Sequence, residues 1–453
     1  MTTVSMLVGG AGVAPNAYTI PNSLRFRAAN SAQMTKSWTT SSTDLTRQTF
    51  SLWFKRGLQA NNTYLIGAYN SAGNALQIGF NSVGQLNFNQ FISAGSNNFP
   101  TNSGTDPAAW YHIVWAWDTT QASINNRYKI YINGVLMNIT NSIAQNTASD
   151  WGVVGNPCAI GANGNNAAYY DGYLADFYFI DGQVLSASSF GTYDSNGIWQ
   201  PIAYTGTYGP NGVHLPFTNT SSTTTLGNDL SGNGNNFTTT GFSVTAGLTY
   251  DVMKDTPTPS STTSNYPTLN PLYSSGTISN GALKAANTGS TWLSAAATIG
   301  ISSGKYYWEA TATNANALAI GVATNFAITN GTNYTTPTQS WTYDGRAFWA
   351  GNGGIGTNGS YGSTYATNDV IGVALDYDNQ TLTFYKNGTS QGLIGSGGAL
   401  FNSITGFSGL NGKALFPWFS TYGNTSAWQV NFGQQAFVYT PPTGYVALNT
   451  SNL

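Results

Sequence analysis

Apolar and polar positions alternate along most of this chain in short runs punctuated by Gly and Asn. Examples are Phe50-Ser51-Leu52-Trp53-Phe54, Ala75-Leu76-Gln77-Ile78-Gly79-Phe80 and Trp110-Tyr111-His112-Ile113-Val114-Trp115-Ala116-Trp117. No helix-length window holds apolar residues at spacings of three and four, so the period is that of strands and the class is all-β. In the third run both strand faces carry aromatic or aliphatic groups, which predicts a central strand of two packed sheets. Two hairpins are signalled by Asn133-Gly134 after Tyr128 to Ile132 and by Asn387-Gly388 after Thr381 to Lys386. Asn-Gly best accepts the positive φ that a type I′ turn needs at both centres. The shared construction predicts two antiparallel β-sandwiches.

Between the hairpins the pattern fades. Residues 201–277 hold Thr220-Ser221-Ser222-Thr223-Thr224-Thr225, Asn233-Gly234-Asn235-Asn236 and Thr256-Pro257-Thr258-Pro259-Ser260-Ser261-Thr262-Thr263, too few apolar residues for a core of their own. They are expected to form a connector packed on the surface of the sandwiches. The expected domains are then an N-terminal arm (1–19), a first sandwich (20–200), the connector, a second sandwich (278–448) and a tail (449–453). A length of 453 residues suits such a division.

Charge narrows the function. Lys and Arg number 14 and Asp and Glu 16, only 7% of the chain, with a net charge of −2 and no basic run. The electrostatic basis for binding nucleic acid or an anionic membrane surface is missing, so neither is expected as a partner. No window of about 18 apolar residues is present, and Val4 to Gly10 lacks a basic leader and a long apolar stretch, so neither a membrane span nor general secretion is expected. One cysteine, Cys158, and two histidines, His112 and His214, exclude an intrachain disulfide and a Cys/His zinc site.

Residues about 20 to 200 resemble a concanavalin A-like jelly roll of the laminin-G/pentraxin type. The resemblance is carried by Ser23-Leu24-Arg25-Phe26, Thr49 to Arg56, Trp110 to Val114, Ile130-Tyr131-Ile132-Asn133-Gly134 and Tyr170 to Phe179. Residues about 278 to 448 resemble a SPRY domain through Ser303-Gly304-Lys305-Tyr306-Tyr307-Trp308-Glu309, Ile320 to Ala323, Asp369 to Asp376, Phe384 to Gly388 and Leu415 to Phe419. The pairing of the modules through Asp251 to Pro257 and Tyr266 to Pro271, ending in Tyr439 to Tyr445, resembles virion proteins of tailed bacteriophages.

Groups able to do chemistry are few. Glycosidases on the jelly-roll fold need two carboxylates about 5 to 10 Å apart, and the single glutamate, Glu309, lies in the other module, where it matches a structural position. Asp171 with Asp176 is the pair left open. His112 is expected to be a satisfied core histidine, His214 has no acidic neighbour in sequence, and Cys158 is expected to be an inert buried thiol. Gly351-Asn352-Gly353-Gly354-Ile355-Gly356 leads into no helix and is expected to be a loop rather than a phosphate cradle. The jelly-roll resemblance implies calcium at the sandwich rim, with Asp118, Asp171 and Asp181 as ligands, against the alternative that they cap turns. No other cofactor is expected.

Aromatic residues exceed what two cores need: 13 Trp and 27 Tyr. The segment from Ser340 to Trp349 joins planar rings to one carboxylate and one guanidinium, and by the SPRY resemblance such loops form a binding face. Trp341, Tyr343, Asp344, Arg346 and Trp349 are the candidate ligand-binding residues, against the alternative that Trp341 and Trp349 are core and Arg346 pairs with Asp344. The expected function is that of a non-enzymatic virion protein, a tail or head fibre on the phage particle surface, binding a host-surface glycan or other receptor. It would contact other virion proteins and self-associate, as a trimer by analogy with phage fibres. The alternatives are a structural decoration protein without ligand and a polysaccharide depolymerase.

Overall fold

The computed structural model describes residues 18–58, 62–70, 75–92, 95–98, 104–139, 143–315, 317–324, 340–345, 347–351, 359–394, 413–423 and 425–453. These fall into two units, one ending at Asn265 and the other beginning at Tyr266. Among the described residues there is no α-helix, and all strand pairs but one between named strands are antiparallel.

The first unit is a sandwich of two large sheets. One runs in the spatial order β10 (Val135–Leu136), β9 (Tyr128–Ile132), β8 (Tyr111–Asp118), β3 (Arg47–Arg56), β12 (Gly172–Asp181), β1 (Ser23–Phe26) and β17 (Val252–Met253), with β15 (Val213–Leu215) also on β12. The facing sheet runs β16 (Thr238–Thr240), β2 (Gln33–Lys36), β11 (Cys158–Ile160), β4 (Thr63–Tyr69), β5 (Ala75–Phe80), β6 (Leu86–Ile92) and β7 (Gly95–Asn98). Between them lie Phe50, Leu52, Ile78, Phe88, Ile113, Trp115, Phe177 and Phe179.

Period-two alternation sends Val114, Tyr178 and Ile180 to the outer face of the first sheet, where they join Ala187 and Phe190 in a second apolar cluster. A short hairpin, β13 (Gly191–Tyr193) with β14 (Trp199–Pro201), and Tyr204 and Tyr208 adjoin that cluster. This explains why β8 is apolar on both faces: it is central, and the chain folds back over its outer side.

Residues 201–265 depart from the expected connector. They supply β15, β16 and β17 and place Leu215, Phe217, Leu226, Phe237 and Val252 in the main core. The first sandwich therefore closes at Asn265 rather than near residue 200. Buried ion pairs fix the return: Asp251 accepts from Arg25 at 3.0 Å and Arg27 at 2.7 Å, and Asp255 pairs with Lys55 at 2.8 Å.

The second unit is also a two-sheet sandwich. One sheet runs β18 (Leu269–Ser274), β21 (Trp292–Ala297), β30 (Phe416–Tyr422), β23 (Leu318–Ala323), β24 (Ser340–Tyr343), β25 (Ala347–Gly351) and β26 (Gly359–Ser360). The other runs β19 (Thr277–Ser279), β20 (Lys284–Ala286), β31 (Ala427–Asn431), β22 (Lys305–Asn314), β27 (Val370–Asp376), β28 (Thr381–Lys386) and β29 (Thr389–Ile394), with β32 (Val446–Ala447) parallel to β22. Glu309 on β22 is buried and accepts hydrogen bonds from the backbone N–H groups of Val438 and Tyr439 and from the Tyr307 hydroxyl. It fastens the C-terminal segment to the sheet.

Candidate functional site

The outer face of the second sheet of the first unit carries a polar cleft of about 190 Å³, lined by Asn62, Tyr64, Gly79, Asn81, Asn87 and Asn89, with Phe80 and Ser82. Strand alternation builds it. Leu86 and Phe88 point into the core, so Asn87 and Asn89 point out, and Ile78 and Phe80 flank the outward Gly79. Gly79 pairs with Tyr64, and a Cβ there would collide with the Thr63 carbonyl and the Tyr64 ring, so glycine gives the ring its place on the sheet. Asn81 closes one end as the cap of a turn, its Oδ1 accepting from the N–H groups of Val83 at 3.0 Å and Gln85 at 2.9 Å.

Asn87 and Asn89 are only 4% and 6% exposed, although they face away from the core. Among the described residues the side-chain Oδ1 of Asn89 has no hydrogen-bond partner. A buried polar oxygen left so is costly, and a ligand donor reaching it would recover that cost. The lining offers amide donors and acceptors, a hydroxyl and an aromatic ring, and none of its residues is a carboxylate, histidine, lysine or arginine.

The SPRY-like segment expected to bind ligand is placed differently. Trp341 and Tyr343 on β24 are fully buried and Asp344 nearly so. Tyr343 packs against Tyr361, Tyr365 and Phe384 and donates its hydroxyl to the Ser363 carbonyl. Neither ring offers a face for stacking, so the stacking role is corrected to a core role: alternation along a central strand buries them. Trp349 lies on β25 opposite Thr342, and its side chain lies outside the description. Arg346 and most of the glycine run from Gly351 to Gly356 also lie outside the described residues.

Residues 29–189 match the concanavalin A-like lectin/glucanases superfamily and residues 305–435 match the SPRY domain. The first unit holds a concanavalin A-like domain and the second a SPRY domain. The chain is 27% identical over 164 residues to an ATP-dependent RNA helicase, DDX1, of Xenopus laevis, a match that spans 35% of this chain and 19% of that protein. Among solved structures it is similar to the SPRY domain of human HERC1, with 19% identity over 37% of this chain and 99% of that one at a TM-score of 0.30. It is also similar to a heptameric pentraxin from Limulus polyphemus, with 15% identity over 38% and 80% of the two chains at a TM-score of 0.28.

Within the concanavalin A-like domain the rim aspartates do not assemble a metal site. Asp171 and Asp181 flank opposite ends of β12, roughly 30 Å apart at about 3.3 Å per residue. Asp118 caps its own turn, accepting from the hydroxyl of Thr120 and the amide of Gln121 at 2.6 Å each. Asp171 accepts from the Ala28 N–H at 3.3 Å, and Asp181 from the Asn211 N–H at 3.0 Å. Among the described residues no group of three His, Cys, Asp or Glu side chains is arranged to hold an ion. The turn-capping alternative accounts for Asp118, and the calcium expectation is corrected accordingly. Asp171 and Asp176 lie about 16 Å apart along the strand, beyond the span of a glycosidase pair.

His112 is buried between indoles: its Nδ1 accepts from Trp199 Nε1 at 2.9 Å, and its ring stacks on Trp53 at 4.7 Å. Indole only donates, so the proton sits on Nε2 and is given to Ser51 Oγ at 2.8 Å. Ser51 is thus an acceptor and is not activated as a nucleophile, and burial pushes the imidazole down to about 3. Cys158 lies against Trp38 Nε1, and burial pushes its thiol up to about 12. His214 finds the acidic partner that its sequence neighbourhood lacks: its Nε2 is 2.8 Å from Asp176, which also accepts from the Tyr18 hydroxyl at 2.9 Å. Asp176 sits at a bulge of β12 with φ of 50°, and that bulge turns its carboxylate toward β15. No local sequence signal could have joined these groups.

Proposed function

We propose that this protein is a non-enzymatic binding protein that takes a neutral, hydroxyl-rich ligand, one residue of a surface glycan, in the asparagine-lined cleft of its concanavalin A-like domain. The observation that carries the reading is the Asn89 side-chain oxygen, without a partner among the described residues, in an uncharged lining of four asparagines, Tyr64, Phe80, Ser82 and Gly79. Amides match sugar hydroxyls as donors and acceptors, and a ring face covers apolar C–H surface. The cleft is smaller than the roughly 300 Å³ of drug-sized sites, which suits one ring of a longer chain. A glycan array with bacterial surface polysaccharides tests it: binding is expected, with affinity reduced about tenfold in Asn89→Ala, the loss of roughly 1.4 kcal/mol. Binding unchanged in both Asn89→Ala and Tyr64→Ala, or no binding at all, overturns it. Release of reducing sugar from a bound polysaccharide would overturn the non-enzymatic part.

The location we propose is the surface of a tailed-phage particle, with copies of the chain associated with one another and with other virion proteins. Support comes from the resemblance of the module pair, and self-association is favoured by a chain with only 7% charged residues to keep copies apart. Antibody labelling of intact particles tests the location. Sedimentation as a monomer at high micromolar concentration counts against self-association.

A further inference from the structure

Outside the cleft, one cluster holds a buried amine and carboxylate in contact with a half-buried carboxamide. Lys55, on the outer side of β3, is fully buried. Its Nζ is 2.8 Å from Asp255 Oδ2 and 2.7 Å from Asn265 Oδ1. The Asn265 amide nitrogen donates to the Ala108 carbonyl at 2.8 Å, which fixes the oxygen end of the carboxamide toward the lysine. The other Asp255 oxygen accepts from Trp110 Nε1 at 2.9 Å, and Trp110 packs against Tyr173, whose ring lies 6.0 Å from Nζ.

We propose that Lys55 and Asn265 join, without a separate enzyme, through an amide bond between Nζ and Cγ, with Asp255 taking the first proton from Nζ. The chemistry needs an unprotonated amine, a base that takes its first proton and a carboxamide held against the amine. Buried Lys55 and Asp255 and half-buried Asn265 supply these three groups. Two opposite charges in a low-dielectric surrounding are costly, and passing one proton from Nζ to Asp255 removes both. Burial acts the same way on the amine, pushing Lys55 below its ordinary range, with Asp255 opposing. The freed lone pair forms the bond to Cγ. A second Nζ proton moves to the Asn265 nitrogen as the Cγ–Nδ2 bond breaks, and ammonia leaves. The product nitrogen keeps one hydrogen, and the first proton stays on Asp255, now a donor toward the new amide. Atoms and charge balance with no oxidant or external reactant.

The intact mass of the full chain decides it. The purified protein is expected to weigh one ammonia less than its sequence, and digestion is expected to release a branched peptide joining Lys55 to Asn265. Lys55→Met and Asn265→Ala are expected to carry their full sequence masses and to melt at lower temperature. An Asn-Gly succinimide also loses ammonia but does not depend on Lys55. A wild-type chain at full mass, or an ammonia loss that persists in Lys55→Met with no branched peptide in the wild type, overturns the proposal and leaves an ordinary buried ion pair. The branched peptide is read on the wild-type protein, so the test holds even where a variant fails to fold.

Discussion

His112 sits between two indoles with both ring nitrogens engaged, and acid must break that arrangement before the ring takes a second proton. The folded imidazole titrates near 3 and the free one near 6.5, so from 6.5 downward the unfolded chain binds the extra proton first. This contribution to stability is complete above pH 6.5 and is lost as pH falls toward 3, by at most about 1.4 kcal/mol per unit. Acid denaturation followed by near-ultraviolet circular dichroism is expected to show the slope, and His112→Gln to flatten it. The two turn asparagines share a second residue-scale device. The backbone N–H of Asn133 donates to the His112 carbonyl while its Oδ1 accepts from the His112 N–H, and Asn387 does the same with Val370. Each residue tolerates the left-handed conformation and adds a rung to the neighbouring ladder. Asn387→Ala loses both and is expected to cost about 1 to 3 kcal/mol, read from the midpoint of urea unfolding.

At the scale of elements, the turns and the strands with clean alternation were legible, because their signal is local. The segment from 201 to 265 was not. Its core residues Leu215, Phe217, Leu226, Phe237 and Val252 are spaced among Ser, Thr, Asn and Gly, and an average over any window hides them. Its strands are two or three residues long and owe their form to β1, β2 and β12 rather than to their own propensity. A piece ending at residue 200 is therefore expected to aggregate, and one spanning 18–265 to unfold cooperatively, as measured by calorimetry. Asp251→Ala would strand Arg25 and Arg27 in the interior, at a cost of about 3 to 5 kcal/mol. A melting temperature within a degree of the parent would refute that.

For the whole molecule, composition read the architecture better than the site. Low charge and strand-period alternation were enough for two all-β sandwiches. The aromatic surplus pointed to Trp341 and Tyr343, yet these rings are core, because β24 is buried along its whole length and so consumes aromatic surface on the sheet. The asparagine cleft escaped notice because asparagines at alternate positions look like any solvated strand face. The first sandwich also has a cost in time. Its opening strands β1 and β2 pair with β17 and β16, the last strands of the same unit. A ribosome adding roughly 5 to 20 residues per second needs about 10 to 50 s to travel from the one pair to the other. Throughout that interval β1 and β2 each carry one edge whose partner does not yet exist, even after β11 and β12 have covered the other, so whatever keeps those edges apart during synthesis limits the yield of folded protein.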